Sequence, residues 1–258
     1  ILFIFCKLPT GFKTTSFMCT VTIVPLKNND FVLTSNRDEA PNRTSVAPEF
    51  YQVDGTKLLY PKDELAGGTW IGISEKNRVV CVLNGAFERH ERKPNYRLSR
   101  GVVAKDFMIA DTIVETIETY NFENIEPFTI VLADWNTNLK FYELVWDGES
   151  KHFSELPLKP KIWSSSTLYN PNMRQERLQW FEDFKSENEL DSKTLSNFHK
   201  TAGQGNNDYG VIMNRGFVKT TSITQIKKQN EDIEMRYESI QSNTTHKKTF
   251  NLPQIVNE

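Results

Sequence analysis

Cys19 is the residue from which chemistry can be built most directly, because it follows Met18 and is small enough for an initiator Met at that position to be removed. Removal would leave a thiol and a free α-amine on one residue. An unperturbed α-amine titrates near pH ~8 and a thiol near ~8.5, so the amine is matched to take the thiol proton, and nucleophile and base can be one residue. The alternative is a buried strand cysteine. Further along, Asn36-Arg37-Asp38-Glu39 reads as a charged turn whose Asn and Asp bond their own backbone. Gly67-Gly68-Thr69-Trp70 is a tight turn with an aromatic anchor or, equally, a pocket wall. Between Glu88 and Arg100, the basic residues Arg89, Arg92, Lys93, Arg97 and Arg100 outweigh Glu88 and Glu91, with Pro94 and Asn95 breaking any regular element. That stretch is either a solvated loop or a clamp for an anionic small ligand.

Other chemistries find little support. The three cysteines, Cys6, Cys19 and Cys81, are far apart and form no CxxC pair, which argues against zinc or a redox couple and fits a reducing, cytoplasmic compartment. His90, His152, His199 and His246 lack any metal-ligand spacing, so no metal is expected and each reads as a surface or loop residue. A formal net charge of -2 gives no general attraction to polyanions, so a nucleic-acid partner is not expected. The apolar run from Ile1 to Cys6 is far short of a membrane span, so stable membrane insertion is not expected either. Residues 1–17 are expected to be an upstream extension outside the fold, with residues 18–258 forming one domain.

The elements that must position these residues follow from apolar periodicity. Cys19 to Val24 and Phe31 to Ser35 read as a hairpin around Asn28-Asn29-Asp30. A polar, Pro-containing stretch runs from Asn36 to Lys57. Thr69 to Ser74 and Arg78 to Leu83 form a second hairpin, in which the VVCVL run makes Cys81 a core residue. From Ser99 the spacing becomes helical in two segments, the second capped by Asp111. Strands resume at Thr129 to Ala133, Leu139 to Trp146 and Lys161 to Ser165. Asn170-Pro171 opens a helix through Phe184, and Asp191 or Ser192 opens another. Gly210 to Met213, Val218 to Ile226 and Ile233 to Ile240 return to strands. Hairpins at both ends and two helical blocks between them fit a layered α+β domain better than a βα alternation.

Four features in order, MCT at Met18, SNRDE at Ser35 to Glu39, GGTWIGI at Gly67 to Ile73, and LNGA with NYRLSRG between Leu83 and Gly101, resemble the NRDE family of transport and Golgi organisation 2-like proteins. That family is similar in turn to the choloylglycine hydrolase and penicillin V acylase group of N-terminal-nucleophile hydrolases. The resemblance implies a four-layer αββα sandwich of two mostly antiparallel sheets and an amide-cleaving site with Cys19 as nucleophile. Arg37 and Asp38 would stand beside it, the Arg lowering the thiol pKa and the Asp holding the ammonium. Asn84, at a strand end, would donate an amide N–H to the oxyanion. Where the hydrolases place a second oxyanion asparagine, this chain offers Ser164, Ser165, Ser166 and Thr167.

Asn36, Trp70, Arg92, Tyr96 and Arg97 are the candidate ligand-binding residues, with Phe87 as a further wall. The first reading is a hydrolase of a small amide, the Arg92 and Arg97 loop receiving an acidic group. The second keeps the fold without catalysis, as a carrier of a hydrophobic anion. Haem or acyl-coenzyme A is then the ligand the family suggests, though no haem-attachment motif is present. A trafficking role rests on the family name alone. No cofactor is expected, haem entering only as a ligand of the carrier reading.

Overall fold

The computed structural model describes residues 20–251, so Met18, Cys19 and the stretch 1–17 lie outside the described residues. In chain order the elements begin with six strands, β1 Thr20–Pro25, β2 Phe31–Glu39, β3 Ser45–Val53, β4 Thr56–Asp63, β5 Ile71–Ser74 and β6 Arg78–Asn84. Helices α1 Arg100–Ile109 and α2 Ile113–Thr119 follow, then β7 Phe128–Asp134, β8 Lys140–Trp146, β9 Lys151–Leu156 and β10 Lys161–Ser164. The last third holds α3 Pro171–Glu187, α4 Ser192–Thr201, β11 Lys219–Gln229, β12 Asp232–Ser239 and β13 Thr244–Asn251.

The strands pair into two antiparallel sheets, ordered β10-β1-β2-β11-β12-β13 and β3-β4-β5-β6-β7-β8-β9. Strand alternation explains how they stack. In β1 and β2 the odd-numbered Val21, Ile23, Phe31 and Leu33 join the main core with the second sheet, while Val24 and Val32 join a separate core with Phe181 and Phe198 of α3 and α4. Helix α1 packs its Val103, Ala104, Phe107 and Met108 into the main core from the other side. The result is the expected α+β sandwich, with a helix layer on the outer face of each sheet.

Several sequence expectations are corrected here. Asn36 to Glu39 is not a turn: β2 continues through Glu39, because β11 supplies ladder partners as far as Lys219 opposite Glu39, and the polar stretch beyond it forms β3 and the start of β4. An Asp54-Gly55 turn with both residues at positive φ joins those two strands. Gly210 to Met213 is not a strand, since side chains take its backbone groups: Arg177 donates to the Gly210 carbonyl and Asn36 to that of Val211. Asp111 does not cap α2. Thr112 holds that position, and Asp111 pairs with Lys76 at 2.5 Å. His199 is not a surface residue but is fully buried on α4. The caps at Asn170 and Asp191 and the burial of Cys81 are as expected, and burial pushes the Cys81 thiol up to about 12.

Glycines of two separate motifs, Gly68 and Gly101, face one another. A Cβ on Gly101, the second residue of α1, would stand 2.9 Å from the Thr69 carbonyl oxygen and 3.3 Å from the Gly68 Cα. One on Gly68 would stand 3.2 Å from the Gly101 Cα. Backbone therefore lies against backbone where α1 begins, a contact only two glycines allow. Gly101→Ala should cost about 1–3 kcal/mol by forcing these segments apart. Urea unfolding measures it, and a change below about 0.5 kcal/mol, the range of ordinary surface substitutions, would contradict so close an approach.

Candidate active site

The end of β2 carries four consecutive buried polar residues, and pleating sends them in opposite directions. Asn36 and Asp38 face the α3–α4 layer; Arg37 and Glu39 face the second sheet. Thr20, the residue that follows Cys19, pairs with Asn36 on one side and with Ser164 on the other. Cys19 itself is outside the described residues, so the site is built from what surrounds the Thr20 end of β1.

On the helix side, Asn36 donates its amide N–H groups to the carbonyls of His199 (3.0 Å) and Val211 (2.6 Å). Its Oδ1 must then accept, so His199 Nδ1 carries the proton of the 2.6 Å contact between them. That leaves His199 Nε2 to accept from the Thr22 hydroxyl at 2.7 Å, the pattern of a neutral imidazole. Burial, with the Arg177 charge adding to it, lowers the His199 pKa to about 3. Asn36 is thus committed to anchoring α4 and the Val211 segment, on the opposite face of β2 from the cavity that Arg37 lines. Asp38 accepts from the hydroxyls of Tyr169 (2.6 Å) and Thr220 (2.7 Å). Burial raises its pKa, an effect opposed by the Arg177 charge and by those two hydroxyls. Arg177 lies over the Tyr169 ring at 3.8 Å and donates to Thr20 Oγ1 at 2.5 Å.

On the sheet side, Arg37 stacks 4.7 Å from the Trp70 ring centre and donates to Asp63 at 2.6 Å. Arg43 bridges Asp63 (2.8 Å) and Glu39 (3.3 Å), so two guanidinium groups meet two carboxylates. Burial works to raise the Asp63 carboxyl, but the Ala66 amide and the two arginines outweigh it and hold it below its usual range. For Glu39 burial wins and the pKa is raised.

These residues form one wall of a cavity of about 370 Å³. Trp70, Asn84, Arg92 and Tyr96 of the sequence candidates line it together with Arg37, and Leu65 stands at it 72% exposed. Arg97 and Phe87 do not. Arg97 holds the loop shut by donating to the carbonyls of Glu123 (3.1 Å) and Asn121, and Phe87 packs edge-on against His152. At the basic end, Glu126 is shared by Arg100 (3.2 Å), Arg92 (3.7 Å) and His90 (3.4 Å). Burial brings Arg100 down to about 10, which leaves it charged at neutral pH. Asn84 ends β6 fully buried, and Ser165 donates its hydroxyl to the Asn84 carbonyl at 2.6 Å. The 164–167 run is thereby brought to Asn84, with its Ser165 proton already engaged. Among the described residues no group of three or more His, Cys, Asp or Glu could hold a metal ion, and no helix is long and apolar enough to cross a membrane.

Sequence reasoning missed Arg43, Asp63, Glu126, Tyr169, Arg177, His199 and Thr220. Thr220 lies within the expected strand Val218 to Ile226 and the others outside the expected apolar faces, and no local signal marked any of their buried polar contacts.

The fold is shared with solved amide hydrolases. A variant of conjugated bile acid hydrolase from Clostridium perfringens superposes with a TM-score of 0.56 at 11% identity, covering 93% of this chain and all of that one. Penicillin V acylase from Agrobacterium tumefaciens gives 0.56 at 12% identity, over 89% of this chain and 85% of that one. The N-acylethanolamine-hydrolyzing acid amidase ortholog of Caenorhabditis elegans gives 0.54 at 11%, over 81% and 92%. The fold is that of the N-terminal-nucleophile hydrolases. Within it, the chain belongs to the Transport and Golgi organisation 2 family, whose model matches residues 18–252. It is 30% identical over 126 residues to the Transport and Golgi organization 2 homolog of Mus musculus, a match that spans 44% of this chain and 43% of the mouse protein.

Keeping His199 neutral links stability to pH. Its folded pKa, about 3, lies below its ordinary 6.5, so its contribution is complete above pH 6.5 and is lost as pH falls toward 3. The slope is at most about 1.4 kcal/mol per pH unit. His199→Gln should remove this part of the acid sensitivity, read as urea midpoints from pH 7 to 4. Parallel curves for variant and wild type would show that His199 does not carry it.

Proposed function

We propose that the protein is a cysteine N-terminal-nucleophile hydrolase acting on a small amide, with Cys19 as nucleophile once Met18 is removed. The observation that carries this reading is the convergence at the Thr20 end of β1: Asn36 pairs on one side, Ser164 on the other, and Ser165 links directly to Asn84. In the proposed reaction the α-amine of Cys19 takes the thiol proton, and the thiolate forms a C–S bond to the amide carbonyl carbon. The charge passed to oxygen is stabilised by an Asn84 N–H. Collapse breaks the C–N bond, the departing amine takes the proton held by the α-amine, and water then hydrolyses the thioester, returning the thiol.

The role proposed for Arg37 is modified by its contacts. With Asp63 at 2.6 Å and Glu39 nearby, its charge is largely matched, so it acts on the thiol less than an isolated guanidinium would. Asp38, buried under two hydroxyl donors, fits the part of holding the ammonium. A cytoplasmic setting is proposed with this chemistry. The non-catalytic reading, a carrier for haem or an acyl-coenzyme A thioester, is favoured by the exposed Leu65 beside Trp70 and Tyr96 in the cavity of about 370 Å³.

Protein expressed from Met18 and exposed to an electrophilic lactam should gain the probe's acyl mass on Cys19. Asn84→Ala should slow acylation by about 10²–10³-fold. Folded protein with a verified N-terminal Cys19 that never acylates would rule out catalysis, and saturable haemin binding by that sample would favour the carrier.

A further inference from the structure

Asn84 also lines a second, smaller cavity of about 130 Å³, on its side toward β10 and α3. Glu143, Trp163, the run Ser164 to Ser166, and Arg174 surround that space. Its charges are not matched in the way of the larger cavity. Glu143 is already engaged by Lys161 at 2.8 Å and by the Trp163 indole N–H. Arg174, in the first turns of α3, is half-buried, and its Nε is closed off from solvent with no hydrogen-bond acceptor. No carboxylate among the described residues pairs with it. The contrast with Arg177, one turn further along, is instructive: that guanidinium is satisfied by Tyr209 O, Gly210 O, Thr20 Oγ1 and Ser164 Oγ at 2.5–3.2 Å. The hydroxyls of Ser165 and Ser166 donate to the carbonyls of Asn84 and Glu88, and neither accepts from Arg174 Nε.

A guanidinium is a planar fork that stays charged, and a carboxylate is the group whose geometry satisfies it with two parallel bonds. A buried N–H of such a group without an acceptor is rare in a folded protein unless something else supplies one. We propose that the small cavity is a carboxylate-binding subsite anchored by Arg174, while the larger cavity takes the bulkier, partly apolar remainder of the same ligand. Its position next to the reacting bond rests on the acyl-transfer reading at Asn84. The binding of a carboxylate does not.

At about 30 Å³ for each water's share of volume, the space has room for a carboxylate with one or two carbons. The ligand class is therefore one with a carboxylate a short distance from an amide-like group. Succinamate has that form, and succinamide is its uncharged counterpart of nearly equal size.

The test uses the full chain as Cys19→Ala, so that binding is read without turnover, with Arg side chains labelled for NMR. Succinamate should shift the Arg174 Nε–Hε signal saturably and bind at least 10-fold more tightly than succinamide. Arg174→Gln should abolish that preference while the amide spectrum stays folded. Arg174→Lys, which keeps the charge and loses the fork, should retain only part of it. Equal binding of the two probes, no binding of either at millimolar concentration, or a preference that survives Arg174→Gln and is lost in Arg92→Gln, each overturns the proposal. Absence of Cys19 acylation in the wild type, by contrast, would remove the catalytic reading and leave this one standing.

Discussion

Everything near the site depends on one strand in which apolar burial gives way to charged burial without a break. β2 is buried along all nine residues, yet its last four are Asn36, Arg37, Asp38 and Glu39. Taking such side chains out of water is costly unless each finds a partner, and partners come only from elsewhere in the chain. Asn36 draws in α4 and the segment at Val211, and Asp38 draws in Tyr169 and Thr220. Arg37 and Glu39 tie the end of β4 to the strand through Asp63 and Arg43. A single strand thus fixes the mutual position of both sheets and one helix layer.

The arrangement also separates two kinds of polar environment. Behind β2, toward the helices, one buried guanidinium, Arg177, stands among an uncharged imidazole, hydroxyls, and a carboxyl group fed by hydroxyl protons. In front, toward the second sheet, guanidinium and carboxylate groups meet directly and border open space. Trp70 belongs to the front wall, held against Arg37 by the turn that the Gly68–Gly101 contact permits. The motifs around Gly67 and Gly101, far apart in sequence, are two halves of one packing contact.

Charge matching gives the cavities different characters. In the larger one, Arg37 and Arg43 are balanced by Asp63 and Glu39, while Glu126 is shared by two arginines and a histidine. The basic stretch between Glu88 and Arg100 is accordingly divided in its work. Arg97 stitches the loop to carbonyls, and Arg92 and Arg100 border the cavity.

By itself the sequence determined the elements whose burial is periodic or whose ends are marked. The β1–β2 and β5–β6 hairpins, the VVCVL strand, and the helices opened by Asn170 and Asp191 were all legible, because apolar alternation and capping are local properties. So was the order of motifs that identifies the family. What the tertiary structure decided lies where a segment's fate depends on its neighbours. Strands β3, β9 and β13 are sheet edges, and β13 buries only Phe250, so no alternation announces them. The NRDE tetrapeptide has the composition of a turn and becomes a buried strand because β11 pairs along it, β1 pairs at Asn36, and Asp63, Tyr169, Thr220 and His199 satisfy it. Those partners lie between 26 and 182 positions away by residue number, a distance over which residue type carries no signal, and only the folded chain brings them together.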